Sequence, residues 1–269
     1  MALRPYILLL AWFAAPAAAQ PLPRPDHIVI VVEENRSYAQ IIGNSAAPHI
    51  NDLSRQGALF TQSHALTHPS QPNYLALFSG STYGIYSDDC PLKLSGDNLA
   101  EALHEKGLSF VSYSEALPQR GFEGCYFNAY MRKHNPTANW KELAALNLPF
   151  SAFPQDFETL PTVALVVPDQ LNDMHDGSIA QGDAWLGKNI GHYAQWAMTH
   201  NSLLIITWDE DDGSANNHIP TIFVGPMVKP GSNAQYINHY NILRTIEEML
   251  GLPYLGESAK AATIYGVWH

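Results

Sequence analysis

Charged residues are scarce in this sequence of 269 residues: they make up 14% of it, against about 25% in an average domain. Basic residues are the scarcer kind, with 14 Lys and Arg against 25 Asp and Glu and a formal net charge of −11. The sequence contains no stripe of Lys and Arg that could neutralise a row of phosphates. This composition argues against nucleic acid and anionic membrane surfaces as main partners.

Long apolar runs are missing after the N-terminus. The first 19 residues have the pattern of a signal peptide: Arg4 supplies positive charge, 7–15 are apolar but too short to span a bilayer, and Ala17 to Ala19 offer a cleavage site. An uncleaved anchor is the alternative. We expect export to the periplasm or the medium, one domain over 20–269 and no stable membrane insertion, with the oligomeric state left open.

Cysteine is almost absent, since Cys90 and Cys125 are the only two. In an exported protein, two cysteines most simply form one disulfide. Loop entropy would then contribute about 3–4 kcal/mol to stability. A zinc site is not expected at these cysteines, because neither has a cysteine or histidine near it at ligand spacing. The disulfide is predicted to hold a loop-rich insertion over about 82–135.

A Gly-x-Ser-x-Gly elbow is also missing, which argues against a serine hydrolase of carboxyl esters. Short apolar runs instead alternate with amphipathic stretches, a pattern typical of α/β proteins with a mostly parallel central sheet and helices on both faces. The predicted strands are 27–32, 109–114, 162–167, 202–208 and 219–224. The predicted helices are 49–56, 98–106, 183–198 and 240–250.

Carboxylates follow two of these apolar strands directly. The first strand runs into Glu33-Glu34-Asn35, and the strand 202–208 runs into Asp209-Glu210-Asp211-Asp212. Such a cluster is costly through mutual repulsion unless a cation lies among the oxygens. Hard oxygen ligands suit Mg, Ca or Mn, and a carboxylate-rich Zn site is also possible. The alternative is that these acids are solvated turn residues or helix caps.

Ser70 lies in the segment Thr67-His68-Pro69-Ser70-Gln71-Pro72-Asn73-Tyr74. Pro72 favours a first helical turn, so Ser70 is expected at or just before a helix N-terminus. A hydroxyl there faces the free amides and the positive end of the helix dipole, where a phosphate can settle. A cation nearby would make Ser70 a nucleophile, and Asn73 is predicted to donate its amide to phosphate. The plainer interpretation is that Ser70 only caps the helix.

Two histidines stand out from the twelve in the chain. Asp173 and His175 lie in a polar segment after the strand 162–167, and His218 lies just before the strand 219–224. A histidine among acids can be a metal ligand, a general acid or a cationic clamp on phosphate. Most histidines in loops are ordinary surface residues, and that alternative stays open for both.

Taken in order, these motifs resemble the alkaline phosphatase superfamily, and more narrowly the bacterial phosphoesterase family that contains acid phosphatases and phospholipase C enzymes. The Glu34-Asn35 pair after the first strand is similar to that of this family, and Ser70-Gln71-Pro72-Asn73 is similar to the nucleophile turn of nucleotide pyrophosphatases. The resemblance implies an alkaline-phosphatase-like fold. It implies a divalent metal held by Glu34, Asn35, Asp209 and Glu210. It assigns phosphate binding and proton transfer to Asn73, Asp173, His175 and His218.

The function that this resemblance implies is an acid phosphatase that hydrolyses small phosphomonoesters through a phosphoserine on Ser70. A phosphodiesterase or phospholipase C of the same family is the alternative, and a non-enzymatic, secreted calcium-binding protein is an alternative of another class. With one metal, the positive partners of phosphate would be His175 and His218, so activity should peak at acidic pH. Two zinc ions would instead give an alkaline optimum.

Overall fold

A computed structural model describes residues 21–269 of the chain, so the predicted signal peptide lies outside the described residues. The strands are β1 His27–Glu33, β2 Ala58–Phe60, β3 Phe110–Ser114, β4 Tyr126–Phe127, β5 Tyr130–Met131, β6 Asn147–Pro149, β7 Val163–Val167, β8 Ser202–Trp208, β9 Thr221–Val224 and β10 Gly231–Asn233. The helices are α1 Tyr38–Ile41, α2 Pro48–Gln56, α3 Ser70–Ser79, α4 Leu99–Glu105, α5 Ile179–Asn189, α6 Gly191–Ala197 and α7 His239–Leu250.

Eight strands form one sheet in the order β10-β2-β9-β8-β1-β7-β3-β6. At its centre, β1 runs parallel to β7 on one side and to β8 on the other. All residues of β1 after His27 are buried, as expected of a strand covered on both faces. The register places Glu33 opposite Trp208, so β1 and β8 end side by side. The mostly parallel sheet of the prediction is confirmed.

Helices cover both faces of the sheet. Helices α3, α4 and α7 pack against the side chains of Ile28, Ile30 and Val32. Helices α2, α5 and α6 pack against Val29 and Val31 on the opposite face. Because side chains alternate along a strand, one apolar run supplies both cores. This arrangement confirms the predicted α/β architecture.

Two details of the prediction were wrong. The strand β9 was expected to be parallel, but it pairs with β8 and β2 in the antiparallel direction. The helix predicted over 183–198 is two helices, because α5 begins at Ile179, capped by Ser178, and ends before Ile190, where α6 follows. The short strands β2, β6 and β10 were not predicted, since three residues are too few to show a period of two.

A disulfide joins Cys90 to Cys125 with a Cα–Cα distance of 5.8 Å, as predicted. It ties the loop before α4 to the β4–β5 hairpin, whose strands pair in the antiparallel direction. The segment after β5 then returns to the centre of the molecule with buried Arg132 and His134. Across residues 21–269, we find no helix long and apolar enough to cross a membrane.

Candidate active site

Ser70 is the first residue of α3 and its side chain is buried. Its hydroxyl oxygen lies 3.1 Å from Glu34 Oε2 and 3.1 Å from Glu210 Oε1. A hydroxyl has one proton, so it donates to one of these carboxylates at a time. The structure therefore places Ser70 at a helix N-terminus, as predicted, and directly against two of the predicted acids.

The carboxylates come from the ends of the two central strands. Past the end of β1, side-chain alternation sends Glu34 toward the α3 face, where it accepts hydrogen bonds from Ser70 and Tyr74. Asp209 follows β8, and its amide donates to Glu33 O at 2.9 Å. Asn35 has φ of 47°, a left-handed conformation that asparagine tolerates, and its amide lies 3.4 Å from Asp209 Oδ1.

We call this group the acidic half of the site. It consists of Glu34, Asn35, Asp209 and Glu210, all four of which were predicted as metal ligands. Burial raises the pKa of Glu34 well above its usual range, and the charge of Asp173 adds to this effect. Burial also raises the pKa of Asp209, with repulsion from Glu34. Burial raises the pKa of Glu210 to about 7. Without a positive partner, the ionised form of these buried carboxylates is therefore unfavourable.

The side-chain oxygens of the acidic half are suitable ligands for a hard divalent cation. Asn35 Oδ1 and Asp209 Oδ2 are buried, and neither has a hydrogen-bond partner within the described part of the chain. Buried polar atoms without partners are uncommon and point to a missing ion or water. Oxygen-rich sets of this kind suit Mg, Ca or Mn. A second set that can hold a metal is Glu34, His134 and His175, with ligand atoms within 4.8 Å of one another.

Opposite the acidic half lies a basic half that consists of Lys133, His134 and His175. Lys133 Nζ lies 3.4 Å from His175 Nε2. His134 is buried, with Nε2 3.4 Å from Glu34 Oε1. His175 remains partly exposed and its Nδ1 lies 2.8 Å from Asp176 Oδ1. His134 and His175 thus lie close to Glu34, beside the nucleophile, and Lys133 joins them through its contact with His175.

Charge in the basic half resides mainly on Lys133. Burial lowers the pKa of His134 well below its usual range, and the neighbouring Lys133 lowers it further, so this ring is neutral near pH 7. Burial alone would lower the pKa of Lys133, but the hydrogen bond and charge of Asp88 raise it overall. The Lys133 Nζ to Asp88 Oδ2 distance is 3.0 Å, and Asp88 Oδ1 also accepts from the Gln71 amide at 3.0 Å.

Two predicted phosphate ligands have other partners. The Asn73 amide donates to the carbonyls of Thr67 and Pro69, and its Oδ1 accepts from the amides of Leu66 and Thr67. This amide holds the loop before α3, and its donation to phosphate stays a prediction.

Asp173 lies behind the histidines. It accepts from the His175 amide at 2.7 Å, and its Oδ2 lies 3.3 Å from His134 Nδ1. Its side chain is fully buried, and burial raises its pKa well above the usual range. These contacts hold both histidines in place, and the predicted substrate contact of Asp173 stays a prediction.

His218 was predicted as a catalytic residue, and the structure shows its ring in contact with other groups than Ser70 and the acidic half. Its Nε2 lies 3.0 Å from Thr61 O, and its ring stacks between Tyr38 and His64. Burial lowers its pKa from the usual value. Over residues 21–269, we find no hydrogen bond from this ring to Ser70 or to the acidic half. Proximity to Glu210 in sequence did not translate into contact.

Sequence reasoning missed four residues of the site. His68 Nδ1 lies 2.9 Å from Glu210 Oε2, and its Nε2 lies 3.2 Å from Asp211 Oδ1, so the ring bridges two acids. Lys133, His134 and Asp88 were also missed. The sequence did contain a signal, because Arg132-Lys133-His134 is a run of three basic residues in a chain with few.

The model of the phosphoesterase family matches residues 44–253. The chain belongs to the phosphoesterase family. It is a hydrolase that acts on phosphoric ester bonds, and the alternative of a non-enzymatic calcium-binding protein is set aside.

Relatives of this phosphoesterase include a phosphatidylinositol-3-phosphatase of Mycobacterium tuberculosis, 49% identical over 97% of the chain and 90% of that protein. An acid phosphatase of Aspergillus fumigatus is 32% identical over 76% of the chain, which spans 51% of the fungal protein. A solved structure from the alkaline phosphatase superfamily of Vibrio parahaemolyticus matches with a TM-score of 0.62 at 14% identity, over 91% of this chain and 72% of that one. This last likeness confirms the fold.

Proposed function

We propose that this protein is an exported, metal-dependent phosphomonoesterase that works through a phosphoserine on Ser70. The observation that carries the proposal is the position of Ser70. Its hydroxyl lies at the start of α3 and contacts Glu34 and Glu210, while His175 lies near Glu34 and Lys133 lies 3.4 Å from His175. A nucleophile with proton acceptors on one side and cationic groups on the other is arranged for attack on phosphorus.

In the first step, Ser70 Oγ forms a bond to phosphorus while the bond from phosphorus to the leaving alkoxide breaks. The hydroxyl proton passes to Glu34 or Glu210, each 3.1 Å away. The leaving oxygen takes up a proton, for which His68 and His175 are the partly exposed candidates. Water then attacks the phosphoserine, which releases inorganic phosphate and returns the proton to Ser70.

A divalent cation bound by Glu34, Asn35, Asp209 and Glu210 would act as a Lewis acid that lowers the pKa of the Ser70 hydroxyl and offsets charge on phosphate. The three carboxylates among these ligands also repel one another less when this charge is present. The unpartnered oxygens of Asn35 and Asp209 support this choice of ligands. The group formed by Glu34, His134 and His175 supports a second ion as the alternative, and metal analysis of the purified protein separates the two versions.

Charge balance favours a monoester over a diester. A phosphomonoester is a dianion, and Lys133 keeps its positive charge across the neutral range because Asp88 raises its pKa. Lys133 thus adds a positive charge to the histidines, which the sequence predicted as the positive partners of phosphate. Among its relatives, one is a phosphatidylinositol-3-phosphatase and others are acid phosphatases, so small phosphate esters are the proposed substrates. A phosphodiesterase or phospholipase C is the second candidate.

The test is hydrolysis of an aryl phosphate and an aryl phosphodiester, with and without a chelator. We expect the monoester to be preferred and the chelator to remove activity, with recovery on adding a divalent cation. Ser70→Ala should lower kcat at least about a thousandfold, whereas Ser79→Ala, on the same helix, should keep most of the activity. Rapid acid quench and mass spectrometry should find phosphate on Ser70. Retention of a tenth of the wild-type kcat in Ser70→Ala would exclude the proposal.

A further inference from the structure

A second cavity of about 450 Å³ adjoins the site on the side of His68. Its lining includes His64, His68, Asp211, Asn216, Asn217 and Tyr236. His68 contacts Glu210, and Glu210 in turn accepts from Ser70. The cavity is therefore separated from the nucleophile by two side chains, and neither Lys133 nor His175 lines it.

The floor of this cavity is held by Asp211. Its carboxylate accepts from the amides of Gly213, Ala215 and Asn217 at 2.7, 2.8 and 3.0 Å. In return, Asn217 Oδ1 accepts from the Asp211 amide at 3.1 Å. A loop closed by so many local hydrogen bonds is rigid before any ligand arrives, which favours binding.

One wall of the cavity is a column of stacked rings. Tyr236 stacks on His64 at 5.0 Å, His64 on His218 at 5.0 Å, and His218 on Tyr38 at 4.6 Å. The hydrogen-bond contact of His218 with Thr61 O fixes the column from below. Tyr236 at its top is 61% exposed. This column gives His218 a structural role and presents an open aromatic surface next to the active site.

The polar groups of the cavity suit hydroxyl groups. Within the described chain, the side-chain nitrogens of Asn216 and Asn217 make no hydrogen bond, so both remain free to donate. The lining contains no Lys or Arg, and it contains the carboxylate of Asp211. A second phosphate on the ligand would therefore find no strong cationic partner here. An aromatic surface combined with free amides fits a neutral, hydroxylated ring.

We propose that this cavity binds the leaving group of the substrate, and that the preferred substrates are phosphomonoesters of a neutral polyhydroxylated ring, a sugar or a cyclitol. The inference rests on the proposed function, since it places the leaving group of the ester on the side of the site where His68 lies. Tyr236 would stack on the ring, and Asn216 and Asn217 would donate to its hydroxyls. The scissile phosphate would remain with Lys133 and His175.

The test compares glucose 6-phosphate with ethyl phosphate, because both leave from a primary carbon and differ in the ring. We expect wild-type kcat/KM to favour glucose 6-phosphate at least about tenfold. Tyr236→Ser should remove this preference through KM and leave ethyl phosphate unchanged. Tyr265→Ser, which removes another exposed tyrosine outside the cavity, should keep the preference. Equal kcat/KM for the two substrates, or a preference that survives Tyr236→Ser, would overturn the inference.

Binding provides a measurement that does not depend on turnover. Calorimetry on Ser70→Ala should give a lower Kd for glucose 6-phosphate than for ethyl phosphate, and Tyr236→Ser in that background should make the two Kd values equal. If the wild type hydrolysed neither ester, the proposed function would fail, and the cavity would be judged by these Kd values alone. Equal Kd values in Ser70→Ala would overturn the cavity proposal by themselves.

Discussion

The acidic half and the basic half of the site face each other across Glu34 but are built from different parts of the fold. Glu34, Asn35, Asp209 and Glu210 directly follow the two central strands, whose positions the sheet fixes. Lys133 and His134 follow the disulfide-tied hairpin, and His175 lies in the loop after β7. The sheet thus supplies the residues proposed to bind metal, and long connections supply those proposed to bind phosphate. Substitutions in the acidic half should therefore affect metal binding, and substitutions in the basic half should affect substrate affinity.

The largest effect is expected from the acidic half. Glu34→Gln removes a proposed ligand and a proton acceptor of Ser70 with little change in shape. We expect kcat to fall at least about a thousandfold and bound divalent metal, measured by elemental analysis, to fall with it. Glu33→Gln is the matched control, because Glu33 is equally buried but faces the side of Asp183 and Glu115. Full metal content in purified Glu34→Gln would break the assignment of the acidic half.

The basic half should respond through substrate affinity. Lys133→Met keeps much of the side-chain length but removes the charge proposed to contact phosphate. We expect KM for an aryl phosphate to rise about 10- to 100-fold, the usual range for one charge-assisted hydrogen bond, with metal content unchanged. A loss of metal from Lys133→Met would show that the two halves are not separable.

The disulfide should matter more to the basic half than to the acidic half. Replacing Cys90 and Cys125 by serine removes a crosslink between residues 35 positions apart in the sequence. The loop-entropy model assigns such a crosslink a stabilisation of about 4 kcal/mol. We expect the free energy of unfolding to fall by up to that amount and KM to rise, because Lys133 and Asp88 lie in or beside the freed segment. Metal affinity should change little. A change in metal affinity as large as that in KM would contradict this division.

The smallest effect concerns the pH dependence of stability in the metal-free protein. The pKa values of Glu34 and Asp209 are raised by burial and repulsion, so the folded chain binds more protons than the unfolded chain above the ordinary carboxyl pKa. Its free energy of unfolding must then fall as pH rises. Below about pH 6.5 the lowered pKa values of buried His134 and His239 oppose this effect. We therefore expect Tm, measured by calorimetry with chelator, to decrease from about pH 6.5 to about pH 8.

A divalent cation should reverse much of this decrease, because it replaces the protons of the acidic half. Glu247 provides the control, since burial raises its pKa to about 7 on α7, where it contacts Ser258 and the Leu255 amide. Glu247→Gln should reduce the slope of Tm against pH but leave the response to the cation intact. A chelated protein whose Tm rises over the same range would contradict the raised pKa values.

The sequence by itself determined the α/β class, the central strands, the disulfide and the acidic half of the site. These features are local, because an apolar run followed by Glu34-Asn35 or Asp209-Glu210 delivers carboxylates to the same edge of a parallel sheet wherever the loops go. The position of Ser70 at the start of α3 was equally predictable from the sequence, because Pro72 favours a first helical turn.

Only the tertiary structure decided which other polar residues reach that edge. Lys133 and His134 are brought to Glu34 by a hairpin and a disulfide, and His218 is turned away to stack between Tyr38 and His64. Sequence spacing does not encode such placements, because the path of a long loop depends on packing with distant segments. The direction of β9 was missed for the same reason: an apolar run predicts a buried strand, and its neighbours decide whether it runs parallel.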